Sequence, residues 1–129
     1  MIEIMYDNIA IAEEKILNGE KVIVLKENVK PAIVPFDLFK NGSHIASGEE
    51  FINWLEDRIF QENRTDKDDL LKLLDLKEYT ILGIAKKTTA CLMTDPYWVK
   101  FSEKHTFRES TIRGRFGFED LEEKDVFLE

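Results

Sequence analysis

The sequence has few of the residues from which disulfides, metal sites and flexible linkers are built. Its 129 residues include one Cys, two His, three Pro and six Gly. The single cysteine, Cys91, excludes an intramolecular disulfide and a cysteine-rich zinc site. No segment approaches the roughly 18 consecutive apolar residues that a membrane-spanning helix needs. The opening residues MIEIMYDN carry acids where a secretory signal is basic. These absences favour a cytoplasmic protein in a reducing compartment.

The length and composition predict one folded domain. Apolar residues make up 43% of the chain, and nine of them are Phe, so enough material is present to offset the entropy of folding. No internal repeat, low-complexity tract or Pro/Gly-rich linker divides the chain. We assign residues 1–101 to a single α+β domain and residues 102–129 to a basic-then-acidic C-terminal extension. That extension is expected to be mobile or docked through its phenylalanines.

The balance of charge argues against nucleic acid as the main ligand. The chain has 26 Asp plus Glu against 18 Lys plus Arg, a formal net charge of −8. Affinity for nucleic acid comes largely from Lys and Arg that displace condensed counterions. One stretch is locally basic, and it keeps a nucleic-acid-binding alternative open. Its basic residues are Lys100, Lys104, Arg108, Arg113 and Arg115.

Two capping patterns predict a pair of helices in the middle of the chain. Ser47 with Glu50 forms a capping box, and the apolar residues after it recur at helical spacing, which predicts a helix over residues 48–60. Thr65 precedes several acids and a leucine-rich run, which predicts a second helix ending near Leu76. Residues 61–64 would join the two as a hairpin.

Runs rich in β-branched and aromatic residues predict strands on both sides of these helices. The segment from Ile9 to Leu17 fits either a strand or a helix. The predicted strands are residues 21–25, 32–34, 79–85, 88–93 and 97–101. Their order does not alternate with helices, so the expected fold is a small, mainly antiparallel sheet with the helical hairpin packed on one face.

The residues that most often perform catalysis are scattered. Cys91 lies within an apolar run, which is typical of a buried and unreactive thiol. His44 and His105 lie in separate polar stretches without a metal-binding spacing. The acids of residues 66–69 lack the glycine and glutamate of a calcium loop, and no phosphate-binding glycine motif is present. We therefore predict no catalytic residue, no metal and no cofactor.

Large aromatic residues are the strongest candidates for contact with a partner protein. Trp98 follows a proline turn and stands beside Tyr97, and Trp54 lies on the first predicted helix with Arg58 one turn later. Trp, Tyr and Arg are the residue types most enriched at interface hot spots. Packing in the core is the alternative for both tryptophans. The predicted partner-binding residues are Trp98, Tyr97, Trp54 and Arg58.

The order of these motifs is similar to a known family. The residues concerned are Trp54, Leu55, Arg58, Asn63-Arg64, Leu70 to Leu76, and the run from Thr94 to Lys100 (TDPYWVK). Together they resemble the amino-terminal region of Firmicute HipA-like serine/threonine kinases, over residues 51–101. The resemblance implies a non-catalytic module detached from its kinase domain, since no catalytic Asp motif, metal-binding Asp or nucleotide loop follows. In some related toxin–antitoxin systems such a module is a separate chain that restrains its kinase.

The sequence therefore predicts a non-catalytic, protein-binding regulatory module of toxin–antitoxin or mobile-element type. It would act by occupying the surface of a partner protein, such as a kinase or a nucleic-acid enzyme. A first alternative is a phage-type acidic inhibitor that imitates nucleic acid, for which a contiguous row of carboxylates is expected. A second is a small enzyme using Cys91, His44 or His105, and a third is a nucleic-acid-binding protein using residues 100–115.

Overall fold

The computed structural model describes residues 1–129, and its centre is a five-stranded antiparallel sheet. The strands are β1 (Glu3–Tyr6), β2 (Ile9–Leu17), β3 (Glu20–Leu25), β4 (Ile45–Ser47) and β5 (Tyr97–Lys100). Across the sheet they lie in the order β4, β3, β2, β1, β5. The predicted α+β class with an antiparallel sheet is confirmed.

Several short helices pack against this sheet. They are α1 (Gly48–Glu56), α2 (Lys67–Leu73), α3 (Ile81–Thr88), α4 (Phe107–Ser110), α5 (Ile112–Arg115) and α6 (Glu123–Val126). Helix α1 packs on β3, β4 and α3, and α6 packs on β2. The capping box predicted at the start of α1 is present: the Glu50 N–H donates to Ser47 Oγ, and the Ser47 N–H donates to Glu50 Oε1, both at 3.0 Å. No helix is long and apolar enough to cross a membrane.

The ambiguous segment at residues 9–17 is a strand. It is preceded by a tight turn at Asp7-Asn8, where Asp7 adopts a φ of 47° and Tyr6 pairs with Ile9. Asp and Asn tolerate the left-handed conformation that such hairpin turns require. Because β2 pairs with β1 on one side and β3 on the other, pairing with both neighbours decides between the two conformations that its local sequence allows.

Three of the predicted strands are wrong. Residues 79–85 enter helix α3, whose first turn is capped by the Thr80 hydroxyl accepting from the Gly83 N–H at 3.1 Å. Residues 88–93 cannot extend because Thr89 and Ala90 have positive φ angles of 56° and 51°. Residues 32–34 overlap a 3-10 turn at Pro31–Ile33. In each case the β-branched content favoured a strand, whereas caps and turns determine the local structure.

Side chains alternate between the two faces of the sheet at β1 and β5. Ile4 pairs with Val99, and both belong to the main core; Met5 pairs with Trp98, and both pack with Phe107 on the opposite face. Residues 102–129 thus supply part of the protein's packing, because they provide Phe107 to this second cluster and the fully buried Val126 to the main core.

Candidate functional site

Arg58 is a buried cation held by four hydrogen bonds. Its guanidinium donates to both carboxylate oxygens of Asp95 at 2.9 and 2.7 Å, to the Ala90 carbonyl at 2.8 Å and to the Tyr97 carbonyl at 2.7 Å. The guanidinium carbon also lies 4.7 Å from the ring centre of Trp54. With 4% of its side chain exposed, Arg58 makes four hydrogen bonds inside the protein from its five N–H donors.

The two tryptophans are core residues. Trp98 is 1% exposed and Trp54 is 2% exposed. The Trp98 indole N–H donates to the Asp7 carbonyl at 2.6 Å, while the Trp54 indole nitrogen has no hydrogen-bond partner in the protein. Neither side chain reaches the surface, so neither can contact a partner protein in the folded state.

Tyr97 is half-buried and also bonded internally. Its hydroxyl donates to the Ile33 carbonyl at 2.6 Å, and its ring meets that of Tyr6 edge-on at a centroid distance of 5.4 Å. Burial raises the pKa of Tyr97 to about 12, with smaller contributions from Tyr6 and Asp95, so the phenol stays protonated. Of the four residues predicted to bind a partner, Trp98, Trp54 and Arg58 are buried, so their role is corrected to a structural one. For the half-buried Tyr97 the partner-binding role stays a prediction.

A second buried carboxylate, Asp7, was not identified by the sequence analysis. Its side chain accepts from Arg113 at 3.0 and 3.3 Å and is 6% exposed. Its N–H donates to the Pro96 carbonyl at 2.9 Å. The next residue, Asn8, exchanges two side-chain hydrogen bonds with the backbone of Leu121. The β1–β2 turn therefore anchors the C-terminal segment at two points; the dipeptide Asp-Asn, a turn signal, was the cue in the sequence.

The outer edge of β5 is closed by bonds from the rest of the chain. The Tyr97 N–H donates to Asp95 Oδ1 at 3.0 Å, and the Tyr97 carbonyl accepts from Arg58. The Val99 N–H donates to the Thr89 carbonyl at 2.8 Å, and the Phe101 N–H, just beyond the strand, donates to His105 Nδ1 at 3.2 Å. A row of free N–H groups is what a partner strand would pair with, so these bonds block strand addition here.

The opposite edge, β4, is closed by a single hydroxyl and by the helix cap. Ser43 Oγ accepts from the Ile45 N–H at 3.1 Å and donates to the Ile45 carbonyl at 2.8 Å. The Ser47 N–H is occupied by Glu50. Both edges of the sheet are therefore bonded internally, which disfavours addition of a further strand at either edge.

His105 holds its bond to Phe101 only in its unprotonated form, because Nδ1 acts as the acceptor. Burial and then the nearby Lys100 charge lower the pKa of His105 below its ordinary value of 6.5. A histidine whose pKa is lower in the folded state adds stability above about pH 6.5, which is lost as the pH falls through its folded-state value.

Between pH 7.5 and 5.5 we expect the free energy of unfolding to fall more in the wild type than in His105→Asn. The difference between the two falls should be less than about 1 kcal/mol. Urea denaturation at both pH values measures the difference. His44→Asn is the control, since His44 is exposed and bonds to nothing through its ring. An identical change in stability with pH in the wild type and His105→Asn would contradict the stabilising role of unprotonated His105.

The residues of the enzyme and nucleic-acid alternatives are dispersed or already bonded. Cys91 is half-buried, and no group of three or more His, Cys, Asp or Glu is placed to hold a metal ion. In the basic stretch, Arg108 pairs with Asp120 at 2.8 Å, Arg113 pairs with Asp7, and Arg115 donates to the Glu109 carbonyl. Intramolecular bonds thus engage the three arginines of the basic stretch, whereas Lys100 and Lys104 take part in none of the six ion pairs.

An apolar groove lies beside the segment between β3 and β4. It encloses about 200 Å³, and Phe36 stands on its rim with 72% of its surface exposed. Its neighbours Leu38 and Phe39 are buried, so the run Pro35 to Phe39 is anchored on the core while presenting one aromatic ring to solvent. The apolar lining consists of Leu25, Val29, Pro31, Val34, Phe36 and Phe39. We refer to this surface as the Phe36 groove.

The Phe36 groove differs in charge from the cleft beside α1. Lys26 and His44 line it, together with Asn28 and Ser43, and no acidic residue does. By contrast, a wide cleft of about 530 Å³ between α1 and the start of α3 is lined by Glu56, Asp57 and Glu62 with no basic residue. Residues 48–78, which include this cleft, contain ten acids against five basic residues.

Comparison of the chain with protein-family models, with curated proteins and with solved structures found no match. Functional conclusions therefore rest on the residues and their geometry.

Proposed function

We propose that the protein is a non-catalytic, protein-binding regulatory module that contacts its partner through the Phe36 groove. The observation behind this proposal is the exposure of Phe36 on the rim of a groove lined by six apolar side chains. Exposed aromatics beside a preformed apolar depression are typical of interaction sites.

The rest of the molecule supports recognition through side chains at this surface. Both edges of the sheet are bonded internally, and the tryptophans are buried. The residues behind the resemblance to HipA-like kinases, Arg58, Asp95 and Tyr97 among them, bond to one another inside the fold. They stabilise the folded domain, and the surface proposed to restrain a kinase or another enzyme of a toxin–antitoxin or mobile-element system is the Phe36 groove.

The proposal predicts that Phe36→Ala abolishes most partner capture without unfolding the protein. Wild type and variant are immobilised, incubated with lysate of the source organism, and compared by quantitative mass spectrometry after circular dichroism has shown both to be folded. Truncating a central interface aromatic commonly costs about 2 kcal/mol or more, which lowers occupancy at least tenfold. A kinase among the proteins lost would support the regulatory role.

Phe116→Ala is the matched control, because Phe116 is 71% exposed against 72% for Phe36 and lies at the opposite end of the chain. We expect Phe116→Ala to retain the same partners as the wild type. Equal capture by all three proteins would exclude the groove as the contact surface. Loss of capture only on mutating Glu56 and Glu62 would instead favour the acidic inhibitor that imitates nucleic acid.

A further inference from the structure

Resting on the proposed function of the Phe36 groove, we infer that its occupant is a single apolar side chain of the partner protein, flanked in the partner's sequence by carboxylates. The groove supplies an apolar floor for the side chain and cationic groups for the flanking acids. This assigns the chemistry of the partner segment, which the proposal of protein binding leaves open.

The size of the groove limits what it can hold. A volume of about 200 Å³ is below the roughly 300–1,000 Å³ of pockets that enclose small-molecule ligands, and it suits one Leu, Phe or Trp side chain. The floor is made by Leu25, Val29 and Phe39, which belong to or border the core and so hold a fixed shape. A preformed pocket that accepts one anchor side chain loses little entropy on binding.

The positive charges around the groove favour acidic residues on either side of the partner's anchor side chain. Lys26 and His44 line the groove, and Lys30 and Lys40 border it in sequence, next to Pro31 and Phe39. None of the six ion pairs in the protein involves Lys26, Lys30 or Lys40. Hydrogen bonds from Ser47 lower the pKa of the Glu50 carboxyl, and the nearby Lys40 lowers it further. Lys26, which lines the groove, is therefore the lysine placed to meet a partner's acid. Glu27 and Asp37 lie in the same segment, yet neither lines the groove.

Negative charge elsewhere on the protein limits where an acidic partner segment can bind. In a chain of net charge −8, an acidic partner segment would be repelled from most of the surface, including the cleft at Glu56, Asp57 and Glu62. The Phe36 groove is a depression without a lining acid, so it attracts an acidic segment. The depression beside Trp98, which Lys100 and His105 line, also lacks an acid. Since the adjacent β4 edge is closed by Ser43, the segment is held by its side chains and not as an added strand.

Three short peptides test the inference on ¹⁵N-labelled full-length protein by NMR titration. The probes are acetyl-Glu-Asp-Trp-Glu-Asp-amide, the same peptide with Lys in place of each acid, and the acidic peptide with Ala in place of Trp. We expect concentration-dependent shifts only with the first peptide, at amides of residues 25–30 and 36–44. Phe36→Ala should weaken that binding at least fivefold, or about 1 kcal/mol.

Lys26→Ala measures the contribution of charge, and Lys87→Ala, an exposed lysine on α3, is its control. Lys26→Ala should weaken binding of the acidic peptide about threefold or more. Lys87→Ala should bind the peptide with the wild-type affinity. Raising the salt concentration should also weaken binding of the acidic peptide to the wild type.

The outcomes separate this inference from the proposed function. Equal binding of the lysine and acidic peptides, shifts confined to the cleft at Glu56, Asp57 and Glu62, or no shifts at all would overturn the assigned occupant. The proposed function would still stand if Phe36→Ala loses partner capture. Conversely, peptide binding at the groove without any Phe36-dependent capture would contradict the proposed function. Concentration-dependent self-association abolished by Phe36→Ala, measured by light scattering, would identify a second copy of the chain as occupant and overturn the inference.

Discussion

Replacing Arg58 with alanine is expected to lower the free energy of unfolding by about 3–5 kcal/mol, because it leaves a carboxylate and two carbonyls without their donor. Asp95 loses both bonds of a bidentate pair, and the carbonyls of Ala90 and Tyr97 lose theirs. The Asp95 side chain is 30% exposed, so water recovers part of the loss and the expected cost stays within this range. Urea denaturation followed by circular dichroism measures the change.

Arg64→Ala is the matched control for this experiment. Arg64 pairs with Asp66 at 2.5 Å, but the two side chains are 56% and 44% exposed, so we expect a change below about 0.5 kcal/mol. Arg58→Lys should recover only a minor part of the stability, because an ammonium cannot make the planar bidentate pair. A loss under about 1 kcal/mol in Arg58→Ala would show that the network is not a main source of stability.

Replacing Trp98 with alanine is expected to destabilise the protein by about 3–5 kcal/mol, the cost usual for removing a fully buried aromatic. The ring packs with Met5 and Phe107, and its indole N–H satisfies the carbonyl of Asp7. Trp98→Phe should lose less, because it keeps most of the apolar contact and forfeits the hydrogen bond. Because both substitutions remove one of the two tryptophans, fluorescence is not comparable between the proteins, and unfolding of each should be followed by circular dichroism.

The burial of Trp98 also changes how partner-binding experiments should be designed. If Trp98→Ala lowers capture of a partner, the expected reason is unfolding of the second apolar cluster rather than loss of a contact. Full stability of Trp98→Ala together with lost capture would contradict its placement in the core. Phe36→Ala avoids this ambiguity, since its ring is mostly exposed.

Local signals in the sequence were sufficient for α1 and for β3, but not for α3. The Ser47 and Glu50 pattern located the start of α1, and the β-branched run at residues 21–25 located β3. Helix α3 was missed because the run from Tyr79 to Ala85 fits both a strand and a helix. The Thr80 cap, which decides the matter in the structure, was the overlooked cue.

The candidate site depended on information that a single sequence holds only indirectly. Arg58 and Asp95 are 37 residues apart, and nothing local indicates that they form an ion pair. The residue type of Arg58 suggested an interface hot spot, whereas its burial makes it structural. Phe36 was passed over because Pro35 to Phe39 contains three large apolar residues, and only the folded chain shows which one faces solvent.

The position of β1 has a consequence for how the chain is made. β1 lies between β2 and β5, so its second hydrogen-bonding edge is filled only by residues 97–100, more than ninety positions later. During synthesis β1, β2 and β3 can assemble early, yet the β1 edge stays open until almost four fifths of the chain has left the ribosome. Any chain interrupted before Tyr97 therefore leaves β1, with Ile4 and Met5, unpaired on one edge, and an unpaired edge favours aggregation.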